Sequence, residues 1–237
     1  MTGVFLQVRL SSSRLPNKAL LSLSGKSVIE HAMDSLRRVP SSVHAVLTDD
    51  ESAPLLERVA SRAGFELFVG SPTNVLERYV AAARRYAVDE VVRATGDNPL
   101  VSWELARLAV SRLREHGADY FGFDGPPLGT GVEVCRAEAL SAALRETRDP
   151  YDFEHVTPYL YRTNTRFVAI REEAPRAYTL PQARVTLDTR EDYLSLQSVM
   201  EKVYDGGPTS IFRLVEHLRT RSAGHFSEGE HAYSDRA

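Results

Sequence analysis

Short apolar runs alternate along this chain with segments whose apolar residues recur at helical spacing. That alternation is the pattern of an α/β fold with a largely parallel sheet. Residues 4–8 read as a first strand. A helix follows over 27–39, with Val28, Ile29, Ala32, Met33, Leu36 and Val39 along one side. Residues 43–47 and 65–69 read as strands around a helix at 54–63. Residues 74–86 are expected to be helical, and 90–94 to form a buried strand that ends at Thr95-Gly96-Asp97-Asn98-Pro99. The next helix is Trp103–Glu115.

The second half is less regular. Residues 120–123 and 132–135 read as strands separated by the turn-rich Asp124-Gly125-Pro126-Pro127-Leu128-Gly129. Helices are expected at Ala137–Glu146 and 154–162, an extended segment at 167–170 and a short strand at 185–187. A helix carrying Tyr193, Leu196, Met200 and Val203 comes next. One domain over 1–222 is expected, followed by a loose polar tail at 223–237.

Composition narrows the function. The 237 residues are 43% hydrophobic and 26% charged, with a formal net charge of −3, so no bulk electrostatic grip on nucleic acid is expected. The single cysteine, Cys135, cannot pair internally and fits a reducing compartment. No signal peptide and no membrane span are expected, which points to the cytoplasm.

Ligands of open α/β sheets bind beyond the carboxyl ends of strands. Three polar segments stand there: residues 9–18, residues 95–99, and Asp188 with Thr189. In the first, Ser11, Ser12 and Ser13 are flanked by Arg9, Arg14 and Lys18. Backbone N–H groups of such a loop cradle phosphate oxygens, Arg14 offers two parallel donors and Lys18 a compact charge. A solvated loop with incidental charges reads equally well from the residues alone. Gly25-Lys26-Ser27 resembles the end of a phosphate-binding P-loop, but Leu20 stands where its first glycine belongs. It reads instead as a turn entering a helix, with Ser27 as cap. No G-x-G-x-x-G follows the first strand, which disfavours a dinucleotide-binding enzyme.

Asp97 and Asp188 each follow a strand. Two such carboxylates could bind Mg²⁺ or Mn²⁺, leaving the other positions to water and phosphate. Each could equally cap the helix after it.

Taken in order, the residues resemble a known family. Leu6-Gln7-Val8-Arg9 through Arg14-Leu15-Pro16-Asn17-Lys18-Ala19-Leu20 is similar to the signature of cytidylyltransferases, including CMP-KDO and CMP-sialic acid synthetases. The closer resemblance is to the spore coat polysaccharide biosynthesis protein F branch, with Val8 in place of an alanine. Thr48-Asp49-Asp50, Gly70-Ser71 with Val75-Leu76-Glu77-Arg78-Tyr79, and residues 92–100 agree in sequence. So do Gly131-Val132-Glu133-Val134, residues 154–159 and residues 184–193. The chain departs from the branch at Gly131, often acidic there, and at Phe153, an arginine there.

The resemblance implies a three-layer α/β/α nucleotide-diphospho-sugar transferase fold, Rossmann-like, with a mostly parallel sheet. It implies transfer of CMP from CTP to a sugar or sugar acid for surface polysaccharide, with pyrophosphate released. Arg9, Ser13, Arg14 and Lys18 would contact the nucleotide, and Asn74 and Arg78 would approach it. Asp97 would be the main metal ligand and Asp188 a second, so that Arg14, Lys18 and Asp97 carry the catalysis. Glu133 and His155 are candidates for the acceptor. Glu133 could instead pair with an arginine such as Arg136, and His155 could hydrogen-bond a backbone group. A homodimer is the default expectation. Two alternatives stand beside this reading. One is a nucleotide-sugar-dependent glycosyltransferase, although no two aspartates here are two residues apart. The other is a nucleotide-binding subunit without turnover.

Overall fold

The computed structural model describes residues 1–12, 14–162 and 166–227, the last seven by backbone alone. Its centre is a seven-stranded sheet. The strands are β1 (Thr2–Gln7), β4 (Val43–Thr48), β5 (Glu66–Val69), β6 (Glu90–Thr95), β7 (Tyr120–Asp124), β8 (Glu133–Arg136) and β9 (Ala169–Glu173), in the order β5-β4-β1-β6-β8-β7-β9. All run parallel except β8, which is antiparallel to both β6 and β7. A separate hairpin joins β2 (Ser22–Leu23) to β3 (Lys26–Ser27).

The core explains the layers. Alternate residues of a strand face opposite sides. Val4 and Leu6 of β1 thus join one apolar cluster and Phe5 the other. The first cluster is closed by α1 (Val28–Leu36), α2 (Ala53–Arg62) and α4 (Trp103–Glu115). The second is closed by α3 (Val75–Arg85), α5 (Ala137–Glu146), α6 (Pro150–His155) and α7 (Pro158–Arg162). The sheet is therefore covered on both faces. A third cluster unites α8 (Arg190–Val203) and α9 (Ile211–Ser227) with Leu23, Leu100 and Leu187. Among the described residues no helix is long and apolar enough to cross a membrane.

Three expectations need correction or extension. The helix expected at 154–162 is two helices, because Pro158 has no N–H to continue the first and Val156 takes a positive φ of 73°. The strand expected at 185–187 is absent, and only a single bridge joins Leu128 to Arg184. Pro126 and Pro127, just before Leu128, have no N–H with which to extend a ladder. Finally α9 runs to Ser227, past the expected boundary at 222. Residues 228–237 of the expected tail lie outside the described residues.

Gly25-Lys26-Ser27 proves to be a turn and a cap. Ser24 and Gly25 have φ of 47° and 87° in the two-residue loop of the hairpin. The Glu30 carboxylate accepts from the Ser27 backbone N–H at 2.7 Å and its hydroxyl at 2.6 Å.

Candidate active site

Gln7 and Thr95, the last residues of β1 and β6, are paired in register, so two neighbouring parallel strands end on one space. Leaving β1, the chain is pinned by Val8 N–H to Leu47 O at 3.0 Å and by Leu10 N–H to Ser52 Oγ at 2.9 Å. Asn17 closes this loop by donating to Leu10 O at 3.2 Å. It adopts the left-handed conformation (φ 55°), which asparagine tolerates. Leaving β6, Gly96 donates to Gln7 O at 2.8 Å. A Cβ on Gly96 would lie 3.0 Å from Val8 Cβ, so glycine lets the Asp97 turn settle close to the loop that leaves β1.

Between the two loops lies a cavity of about 300 Å³ whose lining includes Gln7, Arg9, Arg14, Lys18, Arg78 and Asp97. Ser11, Ser12 and Glu154 also border it. Lys18 is the hub. Its Nζ lies 2.6 Å from Asp97 Oδ2 and 3.0 Å from Asp188 Oδ1, and donates to Leu187 O at 2.8 Å. Burial alone would lower the Lys18 pKa, but Asp97 and Asp188 outweigh it and hold the ammonium above its ordinary value. Burial likewise pushes Asp188 up, yet Lys18, Arg14 and Arg184 bring its carboxyl below the usual range. Arg184 reaches Asp188 Oδ2 at 2.7 Å and Arg14 reaches Oδ1 at 3.4 Å.

Neither aspartate is a helix cap. Ser102 caps α4 by accepting from Leu105 N–H at 3.1 Å, and Thr189 caps α8 by accepting from Asp192 N–H at 3.2 Å. The two carboxylates instead converge on one cation from loops about 90 residues apart. Among the described residues no group of three or more His, Cys, Asp or Glu could hold a metal. Two hard carboxylates with room for phosphate still match what Mg²⁺ or Mn²⁺ takes from a protein.

The other candidates separate. Arg78 reaches the cavity from α3 but is only 2% exposed, and its Nε and Nη2 donate to Ser71 O at 3.0 and 2.6 Å. Burial lowers its pKa. Asn74 does not border the cavity; its Oδ1 accepts from Glu77 N–H at 2.9 Å and caps α3. Arg9 pairs with Glu154 at 3.0 Å, which brings α6 to the rim. Ser13 lies outside the described residues.

A second cavity, of about 530 Å³, shares Thr95 with the first and extends over Arg93, Asn98, Asp124, Glu133 and Arg171. Glu133 is opposite Arg93 in the β6–β8 register and pairs with it at 2.5 Å. Its Oε1 also accepts from the Tyr120 and Thr157 hydroxyls, each at 2.8 Å. Arg136 is not its partner, since the same register sets Arg136 against Glu90, at 3.2 Å. His155 borders neither cavity; it is exposed, with its ring 4.2 Å from that of Tyr151. Sequence reasoning missed two residues. Glu154 was quoted only as part of a motif. The Gln7 Oε1 is buried at the first cavity without a partner among the described residues, and its place at the end of the first strand was the available signal. A larger cavity of about 840 Å³, bordered by Arg84, Asp89, Asp119 and Arg145, lies at the amino ends of β6 and β7, away from this chemistry.

A family model described as cytidylyltransferase matches residues 4–223. The chain belongs to the cytidylyltransferase family. This cytidylyltransferase is 32% identical over 216 residues to the uncharacterized protein MJ1063 of Methanocaldococcus jannaschii, covering 90% of this chain and 88% of that one. It is 30% identical over 221 residues to the spore coat polysaccharide biosynthesis protein SpsF of Bacillus subtilis, covering 90% and 92%. Among solved structures, a cytidylyltransferase from Leptospira borgpetersenii superposes with a TM-score of 0.85 at 27% identity, covering 94% and 95% of the two chains. The chain is thus a nucleotidyltransferase with the nucleotide-sugar transferase fold.

Proposed function

We propose that this cytidylyltransferase transfers CMP from CTP to a sugar or sugar acid in the cytoplasm, for a surface polysaccharide. The observation that carries the reading is Lys18, set between Asp97 and Asp188 beside Arg9, Arg14 and Arg78 on one cavity. The cations suit a triphosphate, and Arg14 can grip its oxygens with two donors. Asp97 and Asp188 would hold a divalent ion, whose charge would neutralise the phosphates and ease loss of pyrophosphate. The acceptor would occupy the cavity over Arg93 and Arg171 and present a hydroxyl near Thr95. Attack on the α-phosphorus forms one P–O bond as the bond to pyrophosphate breaks. The protein's part is positioning and charge neutralisation.

The test is pyrophosphate release from CTP, UTP, dTTP, ATP and GTP with Mg²⁺ across a panel of sugars and sugar acids. Release with CTP and one acceptor class is expected. Asp97→Asn should lower it by about two to three orders of magnitude, the size seen when one electrostatic partner of a transition state is removed, with the melting temperature retained. Full activity in that variant would remove Asp97 from the site. Release of a nucleoside diphosphate from a nucleotide sugar would replace the reading with a glycosyltransferase.

A further inference from the structure

The Lys18 ammonium donates to Asp188 Oδ1 at 3.0 Å and Leu187 O at 2.8 Å and forms an ion pair with Asp97 Oδ2 at 2.6 Å. Its side chain is 12% exposed. In this arrangement the ammonium is committed to Leu187 O and the two carboxylates. It also fills the point between the two carboxylates where a divalent cation would bind. Contact with phosphate and neutralisation of the aspartates are therefore alternatives for one side chain.

We propose that Lys18 is a placeholder cation. In the nucleotide-free protein its ammonium occupies the metal seat. An arriving triphosphate draws it away, and the divalent ion takes its place. This rests on the reading that Asp97 and Asp188 are the metal ligands.

The chain around Lys18 suits the exchange. Its backbone is fixed by the left-handed Asn17 before it and by the 3-10 turn Lys18–Leu20 that it begins. The four-carbon stem beyond is free to change rotamer. Arg184 reaches Asp188 Oδ2 at 2.7 Å and leaves the phosphate side to Arg14, so one carboxylate keeps a partner while the ammonium moves. Without Lys18, two carboxylates would face each other across the vacated point, a cost that a divalent ion removes. Metal and nucleotide binding are then coupled, and the coupling is reciprocal.

The test needs no turnover. Mn²⁺ binding is measured by the loss of the free-ion electron paramagnetic resonance signal, without nucleotide, for wild type, Lys18→Met and Lys18→Met with Asp97→Asn. Melting curves check that each is folded, and Lys18→Gln serves if the methionine variant is not. The placeholder predicts that removing the ammonium tightens Mn²⁺ binding by about tenfold, within the usual range of coupling between sites, and that Asp97→Asn abolishes the gain. No gain, whether both proteins bind Mn²⁺ equally or neither binds, overturns the placeholder. A gain that survives Asp97→Asn places the metal elsewhere and overturns the ligand assignment beneath it.

Discussion

At Glu133 the sequence presents a carboxylate inside an apolar strand, a placement that demands a partner. The partner is Arg93, with the Tyr120 and Thr157 hydroxyls completing the shell. Both ionic side chains are mostly buried, at 14% and 21% exposure. Removing one member of a buried pair leaves the other charge uncompensated, so Glu133→Ala should cost about 3 kcal/mol of stability. Urea denaturation without ligands checks this. A residue that served only the acceptor would instead lower kcat/KM and leave the urea midpoint unchanged. The need for a partner was legible in the sequence, but its identity was not. Arg136 is close in sequence, whereas Arg93 becomes a neighbour only through the antiparallel register of β6 and β8, which no local pattern reveals.

Among the elements, Asn74 marks how a cap differs from a ligand. The sequence places it just before the expected helix and inside a family-like segment, and both roles fit that position. In the fold its Oδ1 receives Glu77 N–H and Asn74 stands off the cavity. Asn74→Ala is expected to cost about 1 kcal/mol, the typical worth of a cap, and to leave the CTP dissociation constant unchanged. Isothermal titration with CTP, beside a melting curve, separates the roles; weaker CTP binding at unchanged stability would restore a nucleotide contact. The four strands β1, β4, β5 and β6 and the four helices α1 to α4 were readable because their apolar spacing is set by burial in the central sheet, whereas the two-residue strands of the hairpin are too short to carry a period. The later errors have local causes. Pro158 divides one apparent helix, and Pro126 and Pro127 leave the segment at 185–187 with a single bridge. Helix α9, which the sequence reading did not set out, carries helical spacing at Ile211, Leu214, Val215 and Leu218 and packs against α8 and the 3-10 turn Arg176–Tyr178 rather than the sheet.

For the whole molecule, two imidazoles set a pH limit. His31 is 6% exposed, with Nε2 2.6 Å from Leu23 O, and His44 lies half-buried with Nε2 3.1 Å from Leu36 O. Burial lowers both pKa values. The unfolded chain therefore binds protons that the folded chain resists. Their contribution to stability is complete above the ordinary imidazole value near ~6.5 and is lost as pH falls through the lower folded values. The urea midpoint should drop as pH falls below about 6.5, the ordinary imidazole value. His31→Gln with His44→Gln should flatten the drop; an unchanged slope would assign it to other groups.

The site is also distributed along the chain. Lys18 and its acceptor Asp188 are separated by 170 residues in sequence, yet they meet at 3.0 Å. Synthesis proceeds from the amino end, and segments fold as they become available. The loop at residues 9–18 and β6 are thus made long before the carboxylate that completes their charge pattern. A nascent or truncated chain lacking residue 188 would leave Lys18 with Asp97 alone of its two carboxylate partners. Completion of the site is in this sense a late event of biosynthesis.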